Sequence, residues 1–317
     1  MENISIIGAG TMGHSIALTA AWRNLSARVH AMDEREIERA SESIRVKVDT
    51  LVQTGLMPED EGNQLLRNIH FTTSLVDCIK GADFIIEAVP ENPQIKKGLY
   101  QLLEEVIPPE VPIASNTSGI PTALLFSEML YPERFIITHF WNPAHLIPLV
   151  EVVPGKVTSK KTVEQTMAML ERLGKKAILV KKEVPGFIGN RLQFALLREA
   201  EHLLDEGVAS KEDIDLAVTH SIGRRLPITG PLMSADLTGL DVAHAISDYL
   251  YEELCNGTKP GATTARLVDN HHLGAKSGRG FYPWSEGETN EISKQREQLL
   301  IEFLKLDAQK GSGKHEG

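Results

Sequence analysis

The chain of 317 residues carries a formal net charge of -10 and has a pI near 5.6, so it is long enough for two domains and too acidic for a nucleic-acid partner, which would need clustered Lys and Arg. Its 2 cysteines, Cys78 and Cys255, lie far apart and outside any Cys/His cluster, which argues against a disulfide framework and against a metal site. No apolar run reaches the roughly 18 residues of a membrane span, and no basic segment precedes an apolar one at the N-terminus, so we expect a cytoplasmic protein that contacts no membrane.

The first predicted strand, residues 4–7, runs into a Gly-x-Gly-x-x-Gly turn made of Gly8, Ala9, Gly10, Thr11, Met12 and Gly13. Gly8 lets the chain turn off the strand, Gly10 leaves room for a pyrophosphate beside the backbone, and Gly13 lets the next helix pack closely on the sheet. The N-terminus of that helix supplies free N–H groups for the phosphates. Three glycines alone indicate only a tight turn, so a nucleotide site also requires a second strand that ends in an acidic residue.

A second predicted strand, residues 27–32, comes after the helix and ends at Asp33. A carboxylate at this distance from the glycines can hydrogen-bond the adenosine ribose hydroxyls and repels a 2′-phosphate. The order of strand, glycines, helix, strand and acid therefore predicts a dinucleotide site that takes NAD rather than NADP.

The sheet continues, after a predicted pair of helices, in two short apolar runs, residues 69–72 and 83–89. Glu87 and Glu91 come at the carboxyl end of the second run, and Lys96 lies on the first turn of the next helix. Ligands of open α/β sheets bind at the carboxyl ends of the strands, so we expect these side chains in the cofactor crevice.

The next predicted strand, residues 112–114, opens into a loop of small polar residues, 115–119, that contains Ser118. Such a loop can contact a ligand, or it can serve only as a turn and helix cap. The sequence alone leaves both interpretations open.

A histidine and a glutamate are predicted on neighbouring strands, His139 within residues 134–143 and Glu151 within residues 149–153. A carboxylate that bonds an imidazole orients the ring and raises its basicity. The alternative is a polar residue at a strand end with no chemical role. Beside a nucleotide site, the pair favours general acid–base catalysis.

A helix over 159–173 and a strand over 177–180 complete a predicted Rossmann-type NAD-binding domain, residues 1–183, with a doubly wound, mostly parallel sheet. Residues 184–317 are predicted to form an all-helical substrate and dimerisation domain, with a disordered tail at 310–317. Its predicted helices cover 187–206, 211–220, 241–254 and 291–308, with turns at Gly223, Pro231 and 257–261.

Across nearly its whole length the chain resembles the L-3-hydroxyacyl-CoA dehydrogenase family. The resemblance is carried by ordered motifs in residues 8–13, 87–96, 115–118, 139–143, 149–152, 185–191, 236–241 and 276–282. It implies a homodimeric oxidoreductase that transfers hydride between NAD and L-3-hydroxyacyl-CoA, as in fatty acid metabolism. The helical second domains of the two subunits would pair in the homodimer.

The resemblance also implies residue roles. His139 would be the general base, oriented by Glu151, with Ser118 and Asn190 binding the substrate oxygens. The residues implied to touch NAD, beyond the glycine turn and Asp33, are Glu91, Lys96, Ser118, Asn142 and Lys276.

The family's commonest activity favours L-3-hydroxyacyl-CoA as the substrate, and two departures from the family pattern favour an alternative. The loop after Asn142-Pro143 reads Ala144-His145-Leu146-Ile147-Pro148, and the segment 223–231 is longer than in acyl-CoA members. Both look more like the branch that acts on small acids, such as carnitine, gulonate or a hydroxymethyl-pyridine carboxylate, where Arg225 with Arg224 would bind a substrate carboxylate. Surface ion pairs are the alternative role for these arginines. A catalytically silent nucleotide-binding or crystallin-like relative is a further alternative, against which the intact His139 and Glu151 stand.

Overall fold

A computed structural model describes residues 2–312 of the chain. The described residues divide into two compact units. The first runs to Ile188 and resumes at Lys294, and the second is Gly189–Ser293.

The first unit is built on one sheet of eight strands. In chain order the strands are β1 Asn3–Ile7, β2 Ser26–His30, β3 Ile69–Thr72, β4 Phe84–Glu87, β5 Ile113–Ser115, β6 Phe135–Phe140, β7 Leu149–Pro154 and β8 Lys176–Leu179. Their order across the sheet is β3-β2-β1-β4-β5-β6-β7-β8. The β6–β7 pair is antiparallel and the other pairs are parallel. The doubly wound, mostly parallel sheet predicted from the sequence is thereby confirmed.

Helices cover both faces of this sheet. They are α1 Thr11–Trp22, α2 Glu34–Gln53, α3 Glu59–Arg67, α4 Leu75–Ile79, α5 Pro93–Val106, α6 Thr122–Phe126 and α7 Lys160–Arg172. Alternate residues of β1 enter different cores, Ile4 and Ile6 on one face and Ile7 on the other, because successive strand side chains point to opposite sides. The direction of the chain crossovers reverses between β1 and β4, so the carboxyl ends of these two strands border the crevice where such sheets bind ligands.

The second unit is helical. Its helices are α8 Gly189–Asp205, α9 Lys211–His220, α10 Ile222–Arg225, α11 Pro231–Thr238, α12 Leu240–Leu250 and α13 Ala262–Asp269. Ile214 is the one buried hydrophobic residue among its described residues, whereas Leu232 and Leu237 are 84% and 75% exposed. These helices therefore carry much apolar surface that is exposed among the described residues.

The last helix, α14 Glu286–Ser312, begins in the second unit and continues into the first. Ile301 is fully buried against Leu18, Ile44 and Val48 of α1 and α2, with Leu146 in the same cluster. Because of this packing, the part of α14 from Lys294 onward belongs to the first unit. The sequence instead predicts a second domain that includes all of residues 184–317.

Several boundaries differ from those expected. The predicted turns at Gly223 and Pro231 are wrong, because Gly223 lies within α10 and Pro231 begins α11, where a missing N–H costs nothing. The last helix is longer than 291–308 and includes residues 310–312 of the predicted disordered tail, while 313–317 lie outside the described residues.

Candidate active site

The glycine turn after β1 has the shape that a dinucleotide needs. Gly8 has φ +106, and a Cβ there would lie 2.6 Å from the Ala88 carbonyl oxygen. A Cβ on Gly13 would lie 1.8 Å from the Gly8 oxygen, whereas one on Gly10 would meet nothing within 4 Å. The backbone at Gly10 is thus open to a ligand while its neighbours are tightly packed.

The N-terminus of α1 faces this opening with unused donors. The first bond within the helix joins His14 N to Gly10 O at 3.1 Å, so the amides of Thr11, Met12 and Gly13 have no partner in the helix. No acidic residue lies in the first turn. These amides and the helix dipole suit a pyrophosphate, so the residues present fit NAD.

The buried side chain of His14 contacts the backbone of the glycine turn. Its Nδ1 lies 3.3 Å from the Ala9 oxygen, and Lys47 Nζ lies 3.1 Å from its Nε2. Because an ammonium can only donate, Nε2 accepts and Nδ1 carries the proton that bonds Ala9. Burial, followed by the charge of Lys47, lowers the pKa of His14, which favours this neutral form.

Asp33 comes after the end of β2 and is exposed. Its Oδ1 accepts a 2.8 Å bond from Glu36 N and caps α2. The Asp33 carboxylate therefore caps α2 and lies at the position where it would also bind the ribose of a dinucleotide.

Glu87 is the centre of a buried polar network at the end of β4. Its Oε1 accepts from Lys96 Nζ at 2.6 Å and from Val89 N at 2.9 Å. Its Oε2 accepts from Tyr100 OH at 2.5 Å and from Ser115 Oγ at 2.7 Å. Burial, and then the Glu87 charge, raise the pKa of Tyr100 well above its usual value, so the phenol stays a donor. Glu87 thus holds β4, β5 and α5 together at the crevice.

Lys96 is 1% exposed and donates inward rather than toward solvent. Besides Glu87, its ammonium lies 3.3 Å from Glu91 Oε2. Glu91 is itself accessible, and its Oε1 accepts from Thr117 Oγ1 at 2.5 Å and from Ser118 N at 2.9 Å. Lys96 therefore orders Glu91, and Glu91 orders the loop that presents the exposed Ser118.

His139 and Glu151 are paired directly across the antiparallel strands β6 and β7. His139 Nδ1 lies 2.8 Å from Glu151 Oε2, with the glutamate fully buried. Glu151 Oε1 accepts from Ile188 N at 2.8 Å, and Trp141 Nε1 donates to Oε2 at 3.3 Å. A carboxylate on Nδ1 fixes the tautomer in which Nε2 is the basic nitrogen.

Aromatic rings enclose the imidazole. The centroids of the Trp141 and Phe187 rings lie 5.4 Å and 5.7 Å from that of His139. His139 is 5% exposed, so water has little access to it. Asn142, three residues further on, is exposed and joined to Pro143 by a cis peptide bond.

The loop after Pro143 packs inward. His145 is buried, with Nδ1 2.9 Å from Ser15 Oγ, and burial, followed by the charge of Lys47, lowers its pKa to about 3. Lys175 Nζ donates to the Ala144 oxygen and, at 3.1 Å, to the Ile147 oxygen. Burial lowers the pKa of Lys175 to about 7, with a smaller contribution from Arg23. Leu146 also packs in one cluster with Ile301, so this loop contributes to the core of the first unit.

Three of the predicted site residues belong to the second unit. Asn190 is the second residue of α8 and half-buried, Arg225 ends α10 and is exposed, and Lys276 lies exposed in the short 3-10 helix Ala275–Ser277. Arg224 Nε donates to the Thr219 oxygen at 3.2 Å, which gives that arginine a structural role.

Sequence reasoning missed the residues that support the site: His14, Tyr100, Ser115, Trp141 and Lys175. Their partners lie far away in sequence or on another element, so no local pattern reveals them. The one available signal was the closeness of Trp141 to His139, two residues earlier in the sequence.

Two sequence families match the chain. The family described as "3-hydroxyacyl-CoA dehydrogenase, NAD binding domain" matches residues 3–184, and "3-hydroxyacyl-CoA dehydrogenase, C-terminal domain" matches residues 186–284. Within residues 2–312, no helix is long and apolar enough to span a membrane, and no group of three or more His, Cys, Asp or Glu could hold a metal ion.

Curated relatives are similar over most of the chain. The chain is 34% identical to the 5-formyl-3-hydroxy-2-methylpyridine 4-carboxylate 5-dehydrogenase of Mesorhizobium japonicum, covering 96% of this chain and 98% of that protein. It is 37% identical to a probable 3-hydroxybutyryl-CoA dehydrogenase of Deinococcus radiodurans, covering 88% of this chain and 99% of that one.

Solved structures show the same two likenesses. The crystal structure of a 5-formyl-3-hydroxy-2-methylpyridine 4-carboxylic acid 5-dehydrogenase, described as an NAD+-dependent dismutase, is 34% identical, covers 96% of this chain and 98% of that one, and has a TM-score of 0.90. The (S)-3-hydroxybutyryl-CoA dehydrogenase of Ralstonia eutropha is also 34% identical, covers 90% of this chain and 100% of that one, and has a TM-score of 0.75.

Proposed function

The chain belongs to the 3-hydroxyacyl-CoA dehydrogenase family and is an NAD-dependent oxidoreductase of that type, and we propose that it oxidises a CH–OH group with His139 as general base and Glu151 as its positioning carboxylate. The 2.8 Å contact between His139 Nδ1 and Glu151 Oε2 carries this proposal. It leaves Nε2 as the nitrogen that takes the hydroxyl proton. In the reverse direction the protonated ring donates it.

The surrounding residues suit this chemistry. NAD, when bound, accepts the hydride. Glu151 is buried and so stabilises the imidazolium that forms when His139 takes a proton. Ser118 and Asn190 are proposed to hydrogen-bond the substrate oxygen, the first from the loop that Glu91 orders. The amides at the start of α1, with Asp33 and Glu91, are proposed to hold the cofactor, together with Asn142 and Lys276.

For the substrate we infer a small hydroxylated or formyl-bearing carboxylic acid. The support is the likeness to the pyridine-carboxylate dehydrogenase, which extends over 96% of this chain with a TM-score of 0.90. Arg225 is exposed, and its side chain has no hydrogen bond or ion pair among the described residues, so its guanidinium is available to a carboxylate.

An L-3-hydroxyacyl-CoA is the second candidate. It is favoured by the 37% identity to the probable 3-hydroxybutyryl-CoA dehydrogenase. Hydride transfer from the 3-hydroxyl would use His139 and Glu151 in the same way, and Arg225 would then have no charged group to bind on the thioester.

We also propose a homodimer through the helical unit. Leu232 and Leu237 on α11, with Ile228 before it, are among the most exposed apolar residues of the chain. Exposed apolar surface of this extent marks an interface in soluble proteins.

The deciding experiment measures NAD reduction, or NADH oxidation, with hydroxy and formyl pyridine carboxylates, L-carnitine, L-gulonate, 3-hydroxybutyryl-CoA and acetoacetyl-CoA. For a small acid, Arg225→Ala should reduce kcat/KM by more than about 30-fold, as loss of one member of a desolvated charge pair does. Arg266→Ala, which removes another exposed arginine of the second unit, is the matched control and should retain full activity.

Efficient turnover of CoA substrates with an unaffected Arg225→Ala variant would replace the small-acid proposal by the second candidate. Turnover that survives in His139→Gln would refute the proposed chemistry on any substrate.

A further inference from the structure

The Glu151 oxygen that bonds His139 has a second donor. Trp141 Nε1 lies 3.3 Å from Oε2, and His139 Nδ1 lies 2.8 Å from the same atom. Trp141 follows the end of β6, two residues after His139, and its indole reaches the same oxygen of Glu151 on β7. His139 and Trp141 therefore share one acceptor atom, while Ile188 N donates to the other oxygen of Glu151.

Because Glu151 Oε2 accepts from two donors, each hydrogen bond affects the strength of the other. A hydrogen bond to a carboxylate stabilises its ionised form and reduces the negative charge that it offers to other donors. Glu151 is fully buried, and a buried site has low effective dielectric, which strengthens this influence. The indole N–H thus weakens the hold of Glu151 on the imidazole proton.

The charged group bonded to His139 is Glu151, from β7, and the rings of Trp141 and Phe187 pack beside the imidazole. These rings carry no charge, so the polar influence of Trp141 acts through Oε2.

We propose that Trp141 is a positioning residue that sets the pH range of the His139–Glu151 pair through its hydrogen bond to Glu151 Oε2. This inference rests on the proposed function of His139. Without the indole N–H, Glu151 holds the imidazole proton more strongly, and His139 becomes a base only at higher pH.

Trp141→Phe removes the donor and keeps an aromatic ring. We expect the midpoint of the acid limb of kcat/KM for alcohol oxidation to rise by about 0.5 to 1 pH unit. At pH values below the original midpoint, kcat/KM should then fall by about 3- to 10-fold. The alkaline limb of carbonyl reduction should move upward equally, because one group serves both directions. The plateau value of kcat should change less than about threefold.

Trp22→Phe in α1, away from the pair, is the matched control and should leave both limbs unchanged. Trp141→Met also lacks a donor and serves as a second test. Its limbs should move in the same direction as those of Trp141→Phe. Unmoved limbs in both variants, with an altered plateau alone, would overturn the proposal and leave Trp141 as packing.

A titration that needs no substrate separates this inference from the proposed function. NMR of protein with 13Cε1-labelled histidine, with the His139 signal assigned by its loss in His139→Gln, should show a higher titration midpoint in Trp141→Phe. If His139→Gln retains turnover, the proposed function fails whatever Trp141 does. If the midpoint is unchanged, the role of Trp141 fails and the proposed function stands.

Discussion

Lys96 Nζ and Glu87 Oε1 lie 2.6 Å apart with both side chains 1% exposed or less, so the carboxyl edge of the sheet contains a fully buried ion pair. Removal of one charge from such a pair leaves the other without compensation.

We expect Lys96→Met to lower the free energy of unfolding by about 3 to 5 kcal/mol, as loss of one partner of a buried pair does. Denaturant unfolding measures this. The double variant Glu87→Gln/Lys96→Met should recover part of the loss, because no lone charge stays buried. A double variant less stable than Lys96→Met would show that the charges do not interact in this way.

His139→Gln should abolish turnover and leave NAD affinity near normal, because the base acts in the transition state. Glu151→Gln should reduce kcat nearly as much, since it removes the charge that stabilises the imidazolium. Steady-state kinetics with cofactor binding by fluorescence test both. Most of the activity surviving in either variant would leave the pair a structural contact.

Asp33 has two roles that substitutions can separate. Asp33→Asn keeps an acceptor for Glu36 N and removes the charge, so it should relax the preference for NAD over NADP with little loss of stability. Asp33→Ala should relax the preference similarly and also cost about 1 kcal/mol through the lost cap of α2. The KM values for both cofactors and denaturant unfolding are the measurements. A kinetic preference for NADP in the unaltered protein would contradict the assigned role.

Lys175 predicts a pH dependence of stability. Its pKa falls from 10.5 to about 7 on folding, so between these values the unfolded chain binds a proton that the folded protein lacks. The free energy of unfolding therefore rises with pH across this window, and the gain is lost progressively as pH falls from 10.5 to about 7.

Relative to Lys175→Met, which cannot titrate, we expect the unaltered protein to gain about 1 to 2 kcal/mol between pH 7 and pH 9. Urea unfolding at both pH values measures the difference. Lys176→Met, at the neighbouring exposed lysine, is the control. Parallel pH profiles for the unaltered protein and Lys175→Met would show that Lys175 keeps its proton.

The proposed homodimer makes a separate prediction. Charges placed in a buried apolar interface are costly, so the double variant Ile228→Asp/Leu232→Asp should shift the protein to monomers in light scattering. Val157→Asp, at an exposed apolar residue of the first unit, should leave the assembly unchanged. A protein that stays dimeric with both acids present would exclude this surface from the interface.

The first unit could be predicted well because its strands are short apolar runs between turn residues, and its glycine turn has one geometric solution. The pairing of His139 with Glu151 could be inferred from two adjacent strands. At Gly223 and Pro231 the sequence predicts turns where the structure has short helices, because Gly and Pro signal breaks in a chain regardless of tertiary context.

The hydrogen bonds that support the site residues could not be predicted from the sequence, for a different reason. Tyr100 bonds Glu87, and Lys175 bonds Ala144, across separations that depend on how whole elements pack. The packing of Leu146 against Ile301 of α14 was likewise not predictable, because the two residues lie far apart in the sequence.

The burial of Ile301 against α1 and α2 has a consequence for biosynthesis. A chain leaves the ribosome from its N-terminus, and domains generally begin to fold in that order. The dinucleotide-binding unit starts at the N-terminus, yet the leucine and isoleucine side chains around Leu18 and Ile44 are sealed by a residue from the last helix. The first unit therefore completes this part of its core only after α14 has been synthesised.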